Sequence, residues 1–140
     1  MDVAVCTFDT KTYLAEYAGA NLPFYYYKDW EIHEIKPTKK SIGGEQLEEE
    51  RVFENHIIPM KPGDAFYLYT DGFVDQFGGP EEKRFSTKRF RDLILRTQHE
   101  SMSTQRAMLN MEWKEWKDDR EQLDDVTVFG MKVVEYGTQS

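Results

Sequence analysis

Apolar and polar positions alternate from the first residues of the chain. Val3, Val5 and Thr7 interleave with Ala4, Cys6 and Phe8, a period of two that predicts a strand with two largely apolar faces. Asp9-Thr10-Lys11 reads as a turn and Thr12–Ala18 as the returning strand of a hairpin, ended by Gly19 and by Asn21-Leu22-Pro23. Phe24–Tyr27 is a further strand, and Ile32–Ile35 pairs with it across Asp29-Trp30. Residues 36–50 are polar and read as a loop or lid, with a short helical turn from Glu45. Arg51–Met60 is extended, Lys61-Pro62-Gly63-Asp64 is a strong turn, and Ala65–Thr70 is a central strand. The period then changes to that of a helix. Phe90, Leu93 and Ile94 keep the i, i+3, i+4 spacing behind a capping Ser86. Leu109, Trp113 and Trp116 share one face of a second helix, with Ser103 as its cap. Asp118–Leu123 leads out, and Val126–Val134 is the last strand.

Strands, then helices, then one strand predict an α+β fold, a mostly antiparallel sheet with helices on one face. Several strands are apolar on both faces and call for another packed layer. The 140 residues suit one domain, residues 1–136, with a frayed tail at 137–140.

A net charge of -8 argues against nucleic acid or an anionic membrane surface as partner. A phosphorylated substrate stays open, because a bound cation reverses the local field. The single cysteine, Cys6, excludes a disulfide framework, fits a reducing cytoplasmic setting, and reads as a small buried hydrophobe. No apolar run reaches the length of a membrane span.

Two acidic sites then stand out. Asp71-Gly72 closes the apolar run Tyr67-Leu68-Tyr69-Thr70, and Asp124-Asp125 opens the run Val126-Thr127-Val128-Phe129. An Asp-Gly after a strand is ordinary turn chemistry, and the acids 48–50 read as a solvated run. Alternatively, two neighbouring strand ends aim their carboxylates at one hard divalent cation, which prefers carboxylate oxygens. Gly72 would then let the backbone turn sharply and open access for a ligand. Other metal chemistries fit less well. Phe73 occupies what would be a ligand position of a calcium loop. His33, His56 and His99 are scattered, against a zinc site. The Gly-Gly pairs at 43–44 and 78–79 lack the downstream Lys-Ser/Thr of a phosphate loop.

Lys61-Pro62-Gly63-Asp64, Thr70-Asp71-Gly72 and Asp124-Asp125-Val126-Thr127, in this order around a pair of helices, resemble the bacterial metal-dependent (type 2C-like) protein phosphatases of the sporulation stage II protein E class. Tyr17-Ala18-Gly19-Ala20-Asn21-Leu22-Pro23 is similar to that family's Ala-Gly-His-x-x-Pro strand end, and Ser41-Ile42-Gly43-Gly44 to its Pro-Leu-Gly element. The resemblance implies a β-sandwich flanked by helices in α-β-β-α layers. It also implies hydrolysis of phosphoserine or phosphothreonine with two Mn²⁺ or Mg²⁺ ions. By position, Asp71 and Asp124 resemble metal ligands, while Gly72, Asp125 and Thr127 support them. The implied partner is a phosphoprotein, with an anti-sigma-factor antagonist as the family type.

The departures are specific. No Asp-x-x-Gly-x-Gly segment, the source of the family's bridging aspartate, is present. Asn21 replaces a histidine, and Asp75 stands where glutamate is common. The chain therefore reads as the C-terminal part of a phosphatase domain, expected to be inactive or nearly so by itself, with exposed apolar surface on which a homodimer could form. Two other readings compete: a non-catalytic interaction domain that kept the fold, and an unrelated acidic α+β domain.

Overall fold

The computed structural model describes residues 1–44 and 50–135. The helical turn expected from Glu45 and the tail at 137–140 lie outside the described residues. In chain order the elements are β1 (Val3–Asp9), β2 (Leu14–Ala20), β3 (Phe24–Lys28), β4 (Glu31–Ile35), β5 (Asn55–Pro59) and β6 (Ala65–Tyr69). After these come α1 (Asp71–Val74), β7 (Phe77–Gly78), β8 (Lys83–Arg84), α2 (Thr87–Arg96), α3 (Met102–Lys117) and β9 (Val128–Lys132).

The order of elements suggests one sheet; there are two main ones, as the β-sandwich implied by the resemblance requires. One runs β1-β2-β5 and the other β4-β3-β6-β9, each antiparallel throughout, and β7-β8 is a small separate ladder. The second sheet answers the call for another layer. Ala15, Tyr17, Phe24, Ile58, Met60, Phe66 and Val133 form a core between the sheets. Phe24 stacks on Tyr17 and on Phe66, with centroids 5.0 and 5.4 Å apart. On the other face of the four-stranded sheet, Tyr25, Tyr67 and Tyr69 pack against Phe73, Phe90, Leu93, Ile94, Leu109 and Trp113. Successive residues of β3 and β6 therefore serve opposite cores, which is why both strands are apolar or aromatic at every position but Lys28. The result is a partial β-sandwich with helices over one sheet.

Local chemistry sets the boundaries. Asp9 Oδ1 accepts from the backbone N–H groups of Lys11 and Thr12 and shapes the first hairpin. Gly19 continues β2 rather than ending it, and a Cβ there would meet the Tyr17 hydroxyl and the Leu22 carbonyl. Buried Asp64 accepts from Lys61 N–H and closes the turn before β6, with Gly63 at φ 97°. Of the extended Arg51–Met60 run, only 55–59 pairs as a strand, and the last strand is shorter than the Val126–Val134 read from sequence.

Ser86 caps α2, its hydroxyl accepting from Arg89 N–H. The cap of α3 is Ser101, not Ser103: its hydroxyl accepts from Thr104 N–H at 3.2 Å. The Ser103 hydroxyl lies 3.0 Å from that of Ser101 inside the first turn. Cys6 is half-buried at the edge of the inter-sheet core, and burial pushes its thiol up to about 11. Among the described residues, no helix is long and apolar enough to cross a membrane.

Candidate metal centre

Both acidic sequences lie at one end of the sandwich. β6 and β9 are neighbours, with Tyr69 opposite Val128, so the residues just beyond that pair continue side by side. Thr70 N–H donates to the Thr127 carbonyl at 3.0 Å, and Thr127 N–H donates to Thr70 Oγ1 at 3.0 Å. Thr70 Oγ1 in turn donates to the Asp125 carbonyl at 3.3 Å. One hydroxyl thus joins the exit of β6 to the approach of β9. Sequence reasoning gave Thr70 no role; a hydroxyl directly before the acid was the available signal.

Asp71-Gly72 is not a turn. It opens α1, with Thr70 extended at the N-cap position and its side chain committed to the neighbouring segment rather than to the helix. Gly72 is required by proximity, not by a sharp turn. A Cβ on it would stand 2.1 Å from the Asp125 carbonyl oxygen, so only glycine lets α1 lie against the Asp124–Asp125 backbone.

Asp71 and Asp124 both expose their side chains. Asp124 Oδ1 accepts from Asp125 N–H at 2.7 Å, which orients its carboxylate. Asp125 contributes its backbone, as does Thr127. Partial burial raises the Asp71 pKa above its ordinary value, and the charges of Asp75, Asp2 and Asp124 raise it further. Asp75 also stands 3.5 Å from Arg84, across the short loop to β8.

This is an excess of negative charge around one carboxyl group, the electrostatic situation that a divalent cation relieves. Two exposed carboxylates fit part of the coordination shell of Mn²⁺ or Mg²⁺. Among the described residues, no group of three or more His, Cys, Asp or Glu side chains is arranged to hold a metal. His56 is stacked on Tyr17 and His33 on Tyr26, on the sandwich rather than at the acids.

Comparison with solved structures defines the class first. The chain superimposes on the SiaA-PP2C domain of Pseudomonas aeruginosa with a TM-score of 0.83 at 28% identity, over 94% of this chain and 51% of that one. The Mn-presoaked phosphatase domain of the cell fate determinant SpoIIE from Bacillus subtilis gives a TM-score of 0.68 at 14% identity, over 99% and 58%. RsbX in complex with magnesium gives 0.59 at 17% identity, over 94% and 56%. The fold is that of the PP2C phosphatases, and the chain spans about half the length of these domains. The Stage II sporulation protein E (SpoIIE) family matches residues 1–134, and the chain belongs to that family as a C-terminal PP2C-like segment. No curated protein matches it.

Proposed function

We propose that this chain supplies one half of the metal centre of a phosphoserine/phosphothreonine protein phosphatase. The observation that carries the reading is the joining of Asp71 and Asp124 at one sandwich end, by Thr70 Oγ1 and by the side-chain-free approach of Gly72. Bound divalent cations lower the pKa of water and screen the charge of a phosphate ester. The chain's own task is to hold two carboxylates still, on the ends of packed strands, so that little reorganisation is left for the reaction. Asp71 and Asp124 take Mn²⁺ or Mg²⁺; Gly72, Asp125 and Thr127 keep them in place. The other ligands come from the half of the domain that this chain does not span, so the chain alone turns over weakly or not at all. The substrate is a phosphoprotein, of the anti-sigma-factor-antagonist kind that the family resemblance implies, in bacterial cytoplasmic signalling.

The test uses the natural polypeptide that carries this sequence, with Mn²⁺ binding read by calorimetry and hydrolysis read with 4-nitrophenyl phosphate. Asp71→Ala and Asp124→Ala are each expected to abolish hydrolysis and weaken Mn²⁺ binding by about tenfold or more. Unchanged Mn²⁺ affinity in both variants refutes the two-acid site.

A further inference from the structure

Three polar side chains from three separate segments close a triangle at the same end of the sandwich. Asp2 Oδ1 accepts from Asn21 Nδ2 at 2.9 Å and from Ser41 Oγ at 2.8 Å, and Asn21 Nδ2 also reaches Ser41 Oγ at 3.1 Å. Asn21 sits in the left-handed region, φ 62°, which asparagine tolerates better than most residues. Backbone bonds fasten the same segments: Asn21 N–H to the Thr38 carbonyl, Thr38 N–H to the Gly19 carbonyl, and Ile42 N–H to the Met1 carbonyl. Arg51 donates to the Ser41 and Gly43 carbonyls, at 2.8 and 3.3 Å. The Tyr17 hydroxyl donates to the Leu22 carbonyl within the same connector. The first part of the polar stretch that the sequence suggests as a lid, residues 38–43, is therefore a fixed wall.

The sheet register says where this wall stands. Phe24 of β3 lies opposite Leu68 of β6, antiparallel. The approach to β3, which holds Asn21, and the exit of β6, which holds Asp71, are therefore at the same end of that sheet. Asp2 directly precedes β1, whose Val3 pairs with Ala20 at the end of β2 and bridges to Asn21, so the triangle lies at that same end. The polar atoms of Asn21 Nδ2 and Ser41 Oγ are used on Asp2, so they do not serve the phosphate. The outer side of the wall is Ile42, Gly43 and Gly44. Ile42 is 41% exposed, and both glycines have φ 76° with open space where a Cβ would be. Such a surface offers an apolar side chain and a glycine backbone free of side-chain bulk to an extended protein segment.

We propose that Asp2, Asn21 and Ser41 are positioning residues for a protein substrate, fixing the 38–44 loop as one wall of the entrance to the Asp71–Asp124 centre, where Ile42–Gly44 hold the chain that flanks the phosphorylated residue. The proposal rests on the phosphatase reading above. It assigns the wall to substrate affinity, and it assigns nothing in the wall to the metal or the reacting phosphate.

The experiment uses the natural polypeptide with Mn²⁺, phosphocasein as a phosphoserine protein, and 4-nitrophenyl phosphate as a substrate too small to reach the wall. Ser41→Ala and Asn21→Ala are expected to raise KM for phosphocasein about fivefold or more with kcat within about twofold, the pattern of lost uniform binding. Kinetics on 4-nitrophenyl phosphate and the calorimetric Mn²⁺ affinity stay near wild type. Ser41→Thr, which keeps the hydroxyl, restores the phosphocasein KM. An unchanged phosphocasein KM in Ser41→Ala, a parallel loss on 4-nitrophenyl phosphate, or failure of Ser41→Thr to rescue overturns the positioning role and leaves the phosphatase reading standing. No hydrolysis of either substrate by the wild-type polypeptide overturns both.

Discussion

Thr70, Gly72 and Asp71 carry the strongest residue-scale consequences. Thr70→Val keeps the shape and removes the oxygen that Thr127 N–H donates to and that reaches the Asp125 carbonyl. It is expected to cost about 1–2 kcal/mol in urea unfolding, with Thr70→Ser recovering most of it. Gly72→Ala forces a carbon to within 2.1 Å of a backbone oxygen. The helix start and the 124–125 segment must separate, at about 1–3 kcal/mol, and Mn²⁺ affinity falls with them. The sign of the pH effect follows from Asp71. Its folded pKa is raised, so between the ordinary value of 3.8 and the raised one the folded protein binds more protons than the unfolded chain. Its contribution therefore favours folding at the low end of that window and is lost as pH rises through the folded pKa. Asp71→Asn should remove that part of the stability–pH profile, measured by urea unfolding from pH 4 upward. Metal binding has the opposite dependence, since Mn²⁺ competes with the proton.

At the scale of elements, the helices separate what a pattern can say from what geometry says. The apolar spacing of Phe90, Leu93 and Ile94 located α2, and all three residues are buried. Two nearby serines were available before α3, and the sequence reading chose Ser103 where the structure uses Ser101. The distinction is testable by thermal unfolding. Ser101→Ala should cost about 1 kcal/mol, as the loss of a cap does, and Ser103→Ala about 0.5 kcal/mol or less. The β7-β8 ladder, two residues on each side, escaped the sequence reading because so short a pairing has no periodicity.

For the whole molecule, the unequal covering of the two sheets matters most. Helices pack over the four-stranded sheet, whereas the outer face of the three-stranded sheet leaves Val5 56% and Ile57 60% exposed. Their partners across the strands are Ala18 for Val5 and Glu16 for Ile57, so the apolar positions share a face with a carboxylate. Apolar surface of this kind favours association of the isolated chain with a second copy. Sedimentation velocity is expected to show concentration-dependent dimerisation, and Ile57→Lys should suppress it while changing unfolding stability by about 0.5 kcal/mol or less. Equal self-association in that variant places the contact elsewhere.

The sequence by itself determined the class of fold, the hairpins, both long helices and the order of the acidic motifs. These are local: two-residue and 3.6-residue periods, turn residues and capping chemistry are written along the chain. Resemblance supplied the phosphatase class before any strand was placed, and the match over residues 1–134 agrees with it. Tertiary structure decided the rest. Only the pairing of β6 with β9 brings residue 71 beside residues 124–127, and only that contact explains why position 72 must lack a side chain. The split into two sheets, the work of Thr70 and the fastening of Asp2 to Asn21 and Ser41 depend on the same fact. They join residues 19 to 57 positions apart, and no local pattern encodes which distant partner a polar atom meets.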